Sequence, residues 1–183
     1  MDLLLSSISQ GLLWSVMAIG VYLTFRILGL ADLTAEGSFP LGAAVATSLI
    51  VSGVQPLLAT LIALLAGMLA GFISGFLHTK LGIPALLAGI ITMTGLYSIN
   101  LRIMGQANVN LIGSDTLMRT VESYGVGRTN SVLVVGLVAV TIVIVLLHLF
   151  FHTEMGLAIR STGDNMAMSE ANGIRINRMQ IIG

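Results

Sequence analysis

From residue 37 to residue 79 the chain carries no Asp, Glu, Lys or Arg, and residues 132–151 form a second uncharged run. A membrane-crossing helix needs about 20 consecutive apolar residues, so each run is long enough to cross a bilayer. The first is too long for one helix, and Gly53, Gln55 and Pro56 mark a turn that divides it. Only 9% of the residues are charged and 56% are hydrophobic, with a mean hydropathy of +1.00. A water-soluble domain carries about 25% charged residues, so lipid must cover much of this surface.

The remaining spans follow from the same reasoning. Residues 3–25 form an uncharged first span, and residues 81–101 form another, with Pro84 suited to a first helical turn. The start, Met1-Asp2-Leu3, lacks the positive head of a signal peptide, so the first span is expected to remain uncleaved. Periodicity does not separate helix from strand where a run is apolar all round. Run length and the lack of strict alternation favour helices over a lipid-facing barrel. The expected fold is an all-α polytopic membrane bundle of about five spans, a single domain over 1–183. Residues 106–131 are polar and dotted with glycine, and read as a loop outside the membrane with a short helix over 116–124.

Charge sets an orientation. If the polar segment 153–178 is cytoplasmic, then Arg26, Lys80, Arg160, Arg175 and Arg178 lie inside and Arg102, Arg119 and Arg128 outside, a bias of five against three. This places 106–131 outside the cell. Residues 31–40 are open to two readings, a simple crossing or a re-entrant segment, and the side of the N-terminus depends on which holds.

The balanced charge, eight basic and eight acidic residues, and the lack of a basic stripe exclude nucleic acid as a partner. The chain has no cysteine, which removes disulfides, thiolate metal sites and cysteine nucleophiles. Neither a nucleophile elbow, a His-Glu-x-x-His pair nor a phosphate-cradling loop is present, so the chain is read as neither an enzyme nor a nucleotide binder, and no cofactor is implied.

Three features lie within the spans. Ala59, Ala63, Gly67, Gly71 and Gly75 recur every four residues, a row that would let another helix approach closely. Plain helix packing is its expected role. Asp32 and Glu36 sit between apolar runs beside Gly29, Gly37 and Pro40. A charge at bilayer depth costs about 2.5–3.5 kcal/mol on insertion scales, so this is either a cavity-lining break or a short solvated loop. His148 and His152 share a helix face at metal-ligand spacing, but no cysteine or acidic side chain on that face completes a site. Interfacial histidines are the simpler reading.

Segment 153–178 holds six of the sixteen charged residues. Asp164 is placed to cap a short helix that Gly173 stops. Ala167, Ala171 and Ile174 would form its shallow apolar face, with Met166, Met168 and Glu170 around it. Such a helix is too short to stand alone in water and suits a groove on a partner, or else simply connects two spans.

The pattern Gly156-Leu-Ala-Ile-Arg160, Asp164, Ala167, Ala171-Asn-Gly173-Ile174 resembles the cytoplasmic coupling loop of ABC importer permeases of the branched-chain amino acid and simple-sugar superfamily. Gly29-Leu-Ala-Asp32-Leu-Thr34-Ala-Glu36-Gly37-Ser38 and Gly82-Ile-Pro84-Ala-Leu-Leu-Ala-Gly89 resemble further segments of that family. The likeness is nearest to the branch served by binding proteins for amino acids, aromatic ones included. It departs from the sugar branch, which usually has Gly-Ile-Asp-Leu-Ser-Val-Gly where this chain has the seven residues 31–37, and from the Asn-Phe-Ala common in the amino acid branch.

The resemblance implies a set of partners. These are an ABC ATPase subunit gripping 153–178, an extracytoplasmic solute-binding protein, and a second permease subunit that makes a homodimer in the lipid bilayer of a bacterial inner membrane. ATPase coupling would fall to Gly156, Arg160, Asp164, Ala167, Ala171 and Gly173. Thr34, Glu36, Ser38, Thr92, Thr94 and Asn100 are candidates for the translocation path, and Ala63, Gly67, Gly71 and Gly75 for helix packing. Hydroxyls bonding back to their own helix are the plainer reading of Thr92 and Thr94. Family permeases continue with further spans, so the chain is expected to be an N-terminal portion of a longer permease. Two rival functions are an ion-coupled transporter using Asp32 or Glu36 and a membrane metal protein built on His148 and His152.

Overall fold

A computed structural model describes residues 2–106, 109–111, 113–114, 116–123, 125 and 127–183. All regular structure among these residues is helical. Helix α1 spans Asp2–Tyr22 and runs on into a π-helical turn, Leu23–Ile27. It is followed by α2 (Thr34–Val51), α3 (Pro56–Leu81), α4 (Ala85–Met104), α5 (Leu117–Glu122) and α6 (Arg128–Phe151). Three short helices complete the described chain: α7 (Glu154–Asp164), α8 (Met166–Ala171) and α9 (Ile176–Ile182).

Five segments are long and apolar enough to cross a membrane: Leu3–Ile27, Thr34–Val51, Pro56–Leu81, Ala85–Met104 and Asn130–Phe151. The last has a mean hydropathy of 3.0, yet only 6% of it is buried within the protein. Apolar side chains that find no protein cover need lipid, and this is a multi-pass membrane protein.

Helix ends follow local chemistry. Pro56 opens α3, where its missing N–H costs nothing. Pro84 stands one residue before α4 and acts as its N-cap, just outside the first helical turn expected for it. The expected helix over 116–124 is Leu117–Glu122, and the Thr116 hydroxyl accepts from the Arg119 N–H at 3.2 Å. Residue 124 of that expectation lies outside the described residues. Residues 31–40 divide at Thr34, where α2 begins, and Pro40 lies inside that helix.

Packing gathers the helices in two groups. Helices α2, α3 and α4 enclose a small core of Leu41, Ala70 and Leu96, flanked by Val45, Ala66 and Ile103. Helix α1 lies along α6, where a Cβ on Gly136 would sit 3.3 Å from the Leu12 Cβ. Trp14 and Phe39, with ring centroids 5.7 Å apart, join α1 to α2.

The buried face of α3 runs through Ala59, Ala63, Ala70 and Ser74, with Ala66 half-buried between them. Helical residues advance about 100° each, so a strict four-residue row drifts about 40° per step around the axis. Ala63 therefore lies on the packed face, Gly67 at its border, and Gly71 is exposed. Gly75 meets a different neighbour, since a Cβ there would sit 3.2 Å from the Ile181 Cα of α9.

Candidate functional site

Two polar centres stand out, one where α2 begins and one in the short helices after α6. At the first, the Asp32 Oδ1 accepts from the Thr34 backbone N–H at 2.9 Å and from the Thr34 hydroxyl at 2.5 Å. Ser74 Oγ of α3 lies 2.7 Å from Thr34 Oγ1 and 3.5 Å from Asp32 Oδ1. A hydroxyl has one proton to give, so Thr34 donates to Asp32 and accepts from Ser74. The carboxylate sits at the positive end of α2 and closes its first turn from outside the helix. Helix α4 passes close by, and a Cβ on Gly89 would lie 2.5 Å from Asp32 Oδ1 and 2.7 Å from the Leu33 nitrogen. The carboxylate thus links α2 to α3 by hydrogen bonds, and α4 packs against it at Gly89.

A cavity of about 840 Å³ opens beside this knot, between the end of α1, α2, α3 and α9. Thr24, Asp32, Thr34, Ser38, Ser74, His78 and Gln180 give it polar points in an otherwise apolar wall. Of the six path candidates, Thr34 is buried, Ser38 is half-buried, and both line this cavity. The other four do not line it. Glu36 is exposed. Thr92 is buried and donates to the Ala88 carbonyl at 2.9 Å, while the exposed Thr94 donates to the Ile90 carbonyl at 2.6 Å. Both bonds return to α4 itself. Asn100 is buried in α4, and its Oδ1 has no hydrogen-bond partner among the described residues.

The second centre is built on α7. The Thr153 hydroxyl accepts from the Gly156 N–H at 3.2 Å and opens the helix. Gly156, Ile159 and Thr162 face inward, three residues apart. Gly156 sits against the Phe150 carbonyl and the Phe151 Cα, so the turn from α6 into α7 has no room for a side chain there. Gly163 is packed as closely on the Ile27 carbonyl, at the end of the π-helical turn. Arg160 and Asp164 are exposed.

Asp164 does not cap α8. It is the last residue of α7, and the cap is Asn165, whose Oδ1 accepts from the Met168 N–H at 3.0 Å. Asp and Asn cap about equally well, so only the extended backbone of residue 165 decides between them (φ −156°, ψ 101°). Gly173 does stop the helix. Its φ is 81°, its N–H bonds to the Glu170 carbonyl at 2.9 Å, and Ile174 N–H bonds to the Ser169 carbonyl at 3.0 Å. This pair of bonds is a Schellman closure, and its left-handed position favours glycine.

Only Ser169 of α8 is buried. Ala167 and Ala171 are exposed, as are Met166 at 39% and Met168 at 66%. The largest apolar surface of α8 is therefore its methionines, which a reading centred on small residues places at the edge. Met side chains adapt to irregular grooves, and their spacing was the available signal.

The rings of His148 and His152 lie with centroids 4.2 Å apart and tilted by 49°, and His152 Nδ1 lies 2.6 Å from the His148 carbonyl. Among the described residues no group of three His, Cys, Asp or Glu side chains gathers to hold a metal.

The sequence pattern of the family described as branched-chain amino acid transport system / permease component matches residues 3–183. A tyrosine transport system permease protein of Clostridioides difficile (strain R20291) is 40% identical over 180 residues, covering 98% of this chain and 58% of the relative. An uncharacterised protein of Rickettsia prowazekii (strain Madrid E) is 32% identical over 165 residues, covering 90% of this chain and 56% of the relative. The chain thus spans a little over half the length of these relatives. No solved structure matches it. With five apolar spans, and a pattern that matches almost end to end, the chain belongs to the family of permease components of branched-chain amino acid transport systems.

Proposed function

We propose that this chain is the permease part of an ATP-driven ABC importer for a small solute, an amino acid by preference. The observation that carries this reading is the surface of α8. Six residues long, it exposes Met166, Ala167, Met168 and Ala171 at the end of a polar segment that follows an apolar span. Exposed apolar side chains in a charged setting outside the spans favour a protein groove as their cover. The named permease relative supports an amino acid solute, and its name makes an aromatic one the first to test.

In this reading α7 and α8 face the cytoplasm of a bacterium and meet a separate ATPase subunit. Arg160 and Asp164 supply the charged rim, Gly156 and Gly173 fix the turns, and Ala167 and Ala171 let the partner approach. Segment 106–131 faces a solute-binding protein, and a second permease subunit completes the path. Closure of the ATPase dimer moves the short helices, and the spans tilt so that the path opens on alternate sides. Thr34 and Ser38 are the path candidates best placed, since both line the cavity beside Asp32.

The test is co-purification from the membrane. The complete permease should carry an ATPase subunit with it, and vesicles holding both with the binding protein should take up amino acid only with ATP inside. Uptake that runs without ATP and collapses with the proton gradient would overturn this reading in favour of an ion-coupled transporter.

A further inference from the structure

The contact between Gly163 and Ile27 joins two regions that are far apart in sequence. On one side lies α7, whose first turn is packed closely against the end of α6 at Gly156. On the other is the π-helical turn Leu23–Ile27, closed by Leu28 N–H donating to the Leu23 carbonyl at 3.0 Å. The joint is tight. Gly163 has backbone directly against it, and a Cβ on Gly29 would lie 3.4 Å from the Gly163 carbonyl oxygen. Leu28 and Ile159 are buried beside it, 3% and 1% exposed, and their side chains flank Gly183.

Beyond the joint the chain is short and is held at Leu30 and Asp32. Leu30 N–H bonds to the Thr24 carbonyl and Asp32 N–H to the Leu30 carbonyl. Asp32 then ties to Thr34 of α2 and Ser74 of α3, with Gly89 of α4 pressed against it. Residues 28–33 carry a displacement of α7 along the chain into the α2–α3–α4 group, beside the contacts that α9 makes with both α7 and α3. The π-helical turn is suited to absorb it, because such turns hold one residue more per turn than an α-helix and can exchange register with it.

We propose that the Gly163–Ile27 contact is the joint through which movement of the 153–178 segment reaches the α2–α3–α4 bundle, with the π-helical turn as the yielding element. This rests on the importer reading above and assigns positioning roles to Gly163 and Leu28, which touch no solute. The joint acts on coupling, the amount of solute moved per ATP hydrolysed, and leaves attachment of the ATPase alone.

The experiment uses the complete permease with its ATPase subunit and binding protein in vesicles. Three variants are compared: Gly163→Ala, which puts a methyl where the Ile27 carbonyl sits; Leu28→Ala, which loosens the joint without a clash; and Gly67→Ala, where a Cβ meets nothing within 4 Å. Expected are normal ATPase co-purification in all three, and uptake per ATP about tenfold lower in the first two only. If Gly163→Ala is not recovered folded, Leu28→Ala decides alone. A wild-type ratio in Leu28→Ala, with ATPase attached, overturns the joint while the importer stands. No ATPase on the unaltered permease overturns the importer reading and the joint with it.

Discussion

Gly89 of α4 lies so close to Asp32 that a single methyl at residue 89 would fall 2.5 Å from the carboxylate oxygen. Asp32 itself holds the Thr34 N–H and hydroxyl, and through them Ser74. Three spans meet at this point, where lipid supplies no drive to hold helices together and close packing with hydrogen bonds must.

Gly89→Ala should therefore destabilise the protein by about 1–3 kcal/mol, the usual cost of overpacking. Gly95→Ala on the same helix should not, because a Cβ there meets nothing within 4 Å. Thermal unfolding in detergent compares the two.

The role of Asp32 separates by a pair of changes. Asn keeps an oxygen that can accept from Thr34, and Ala does not. Asp32→Asn should retain most of the stability and uptake, whereas Asp32→Ala, which removes the acceptor of both Thr34 hydrogen bonds, should lose about 1 kcal/mol of stability or more. A well-folded Asp32→Asn with no uptake would mean that the charge itself is needed.

At the other centre, Asn165→Ala removes the cap of α8 and should cost that helix about 1 kcal/mol, while Asp164→Ala should cost far less. Amide hydrogen exchange at Met168, whose N–H bonds to Asn165, reports the difference directly.

The spans were legible because membrane helices announce themselves by length. The uncharged run 132–151 extends back only to Asn130 as a span. The division at Pro56 and the stop at Gly173 were legible for the same local reason: one residue carries each signal. The row through Gly67, Gly71 and Gly75 was harder, because the packed face takes one step of three, from Ala63 to the half-buried Ala66, before Ala70 and Ser74, and a strict spacing of four misses that step. Asp164 and Asn165 look alike as caps until the backbone of residue 165 is known. The meeting of Gly163 with Ile27 joins distant segments and leaves no local pattern to read.

The exposed face of α8 gives a binding prediction. Met168→Asp or Ala171→Arg should leave the permease folded, since both positions are exposed, and abolish ATPase co-purification. A buried charge in a docking groove costs several kcal/mol when unpaired. Retention of the ATPase by both variants would move the contact elsewhere.

The most direct measurement uses the lack of any cysteine in residues 1–183, with any cysteine elsewhere in the permease replaced by serine. Met168→Cys, in that permease, is treated with a membrane-impermeant maleimide in intact cells and again after the membrane is opened. The account predicts no labelling in intact cells, and labelling in opened membranes that bound ATPase blocks. Labelling of intact cells would place α8 outside, beyond reach of any ATPase, and contradict it.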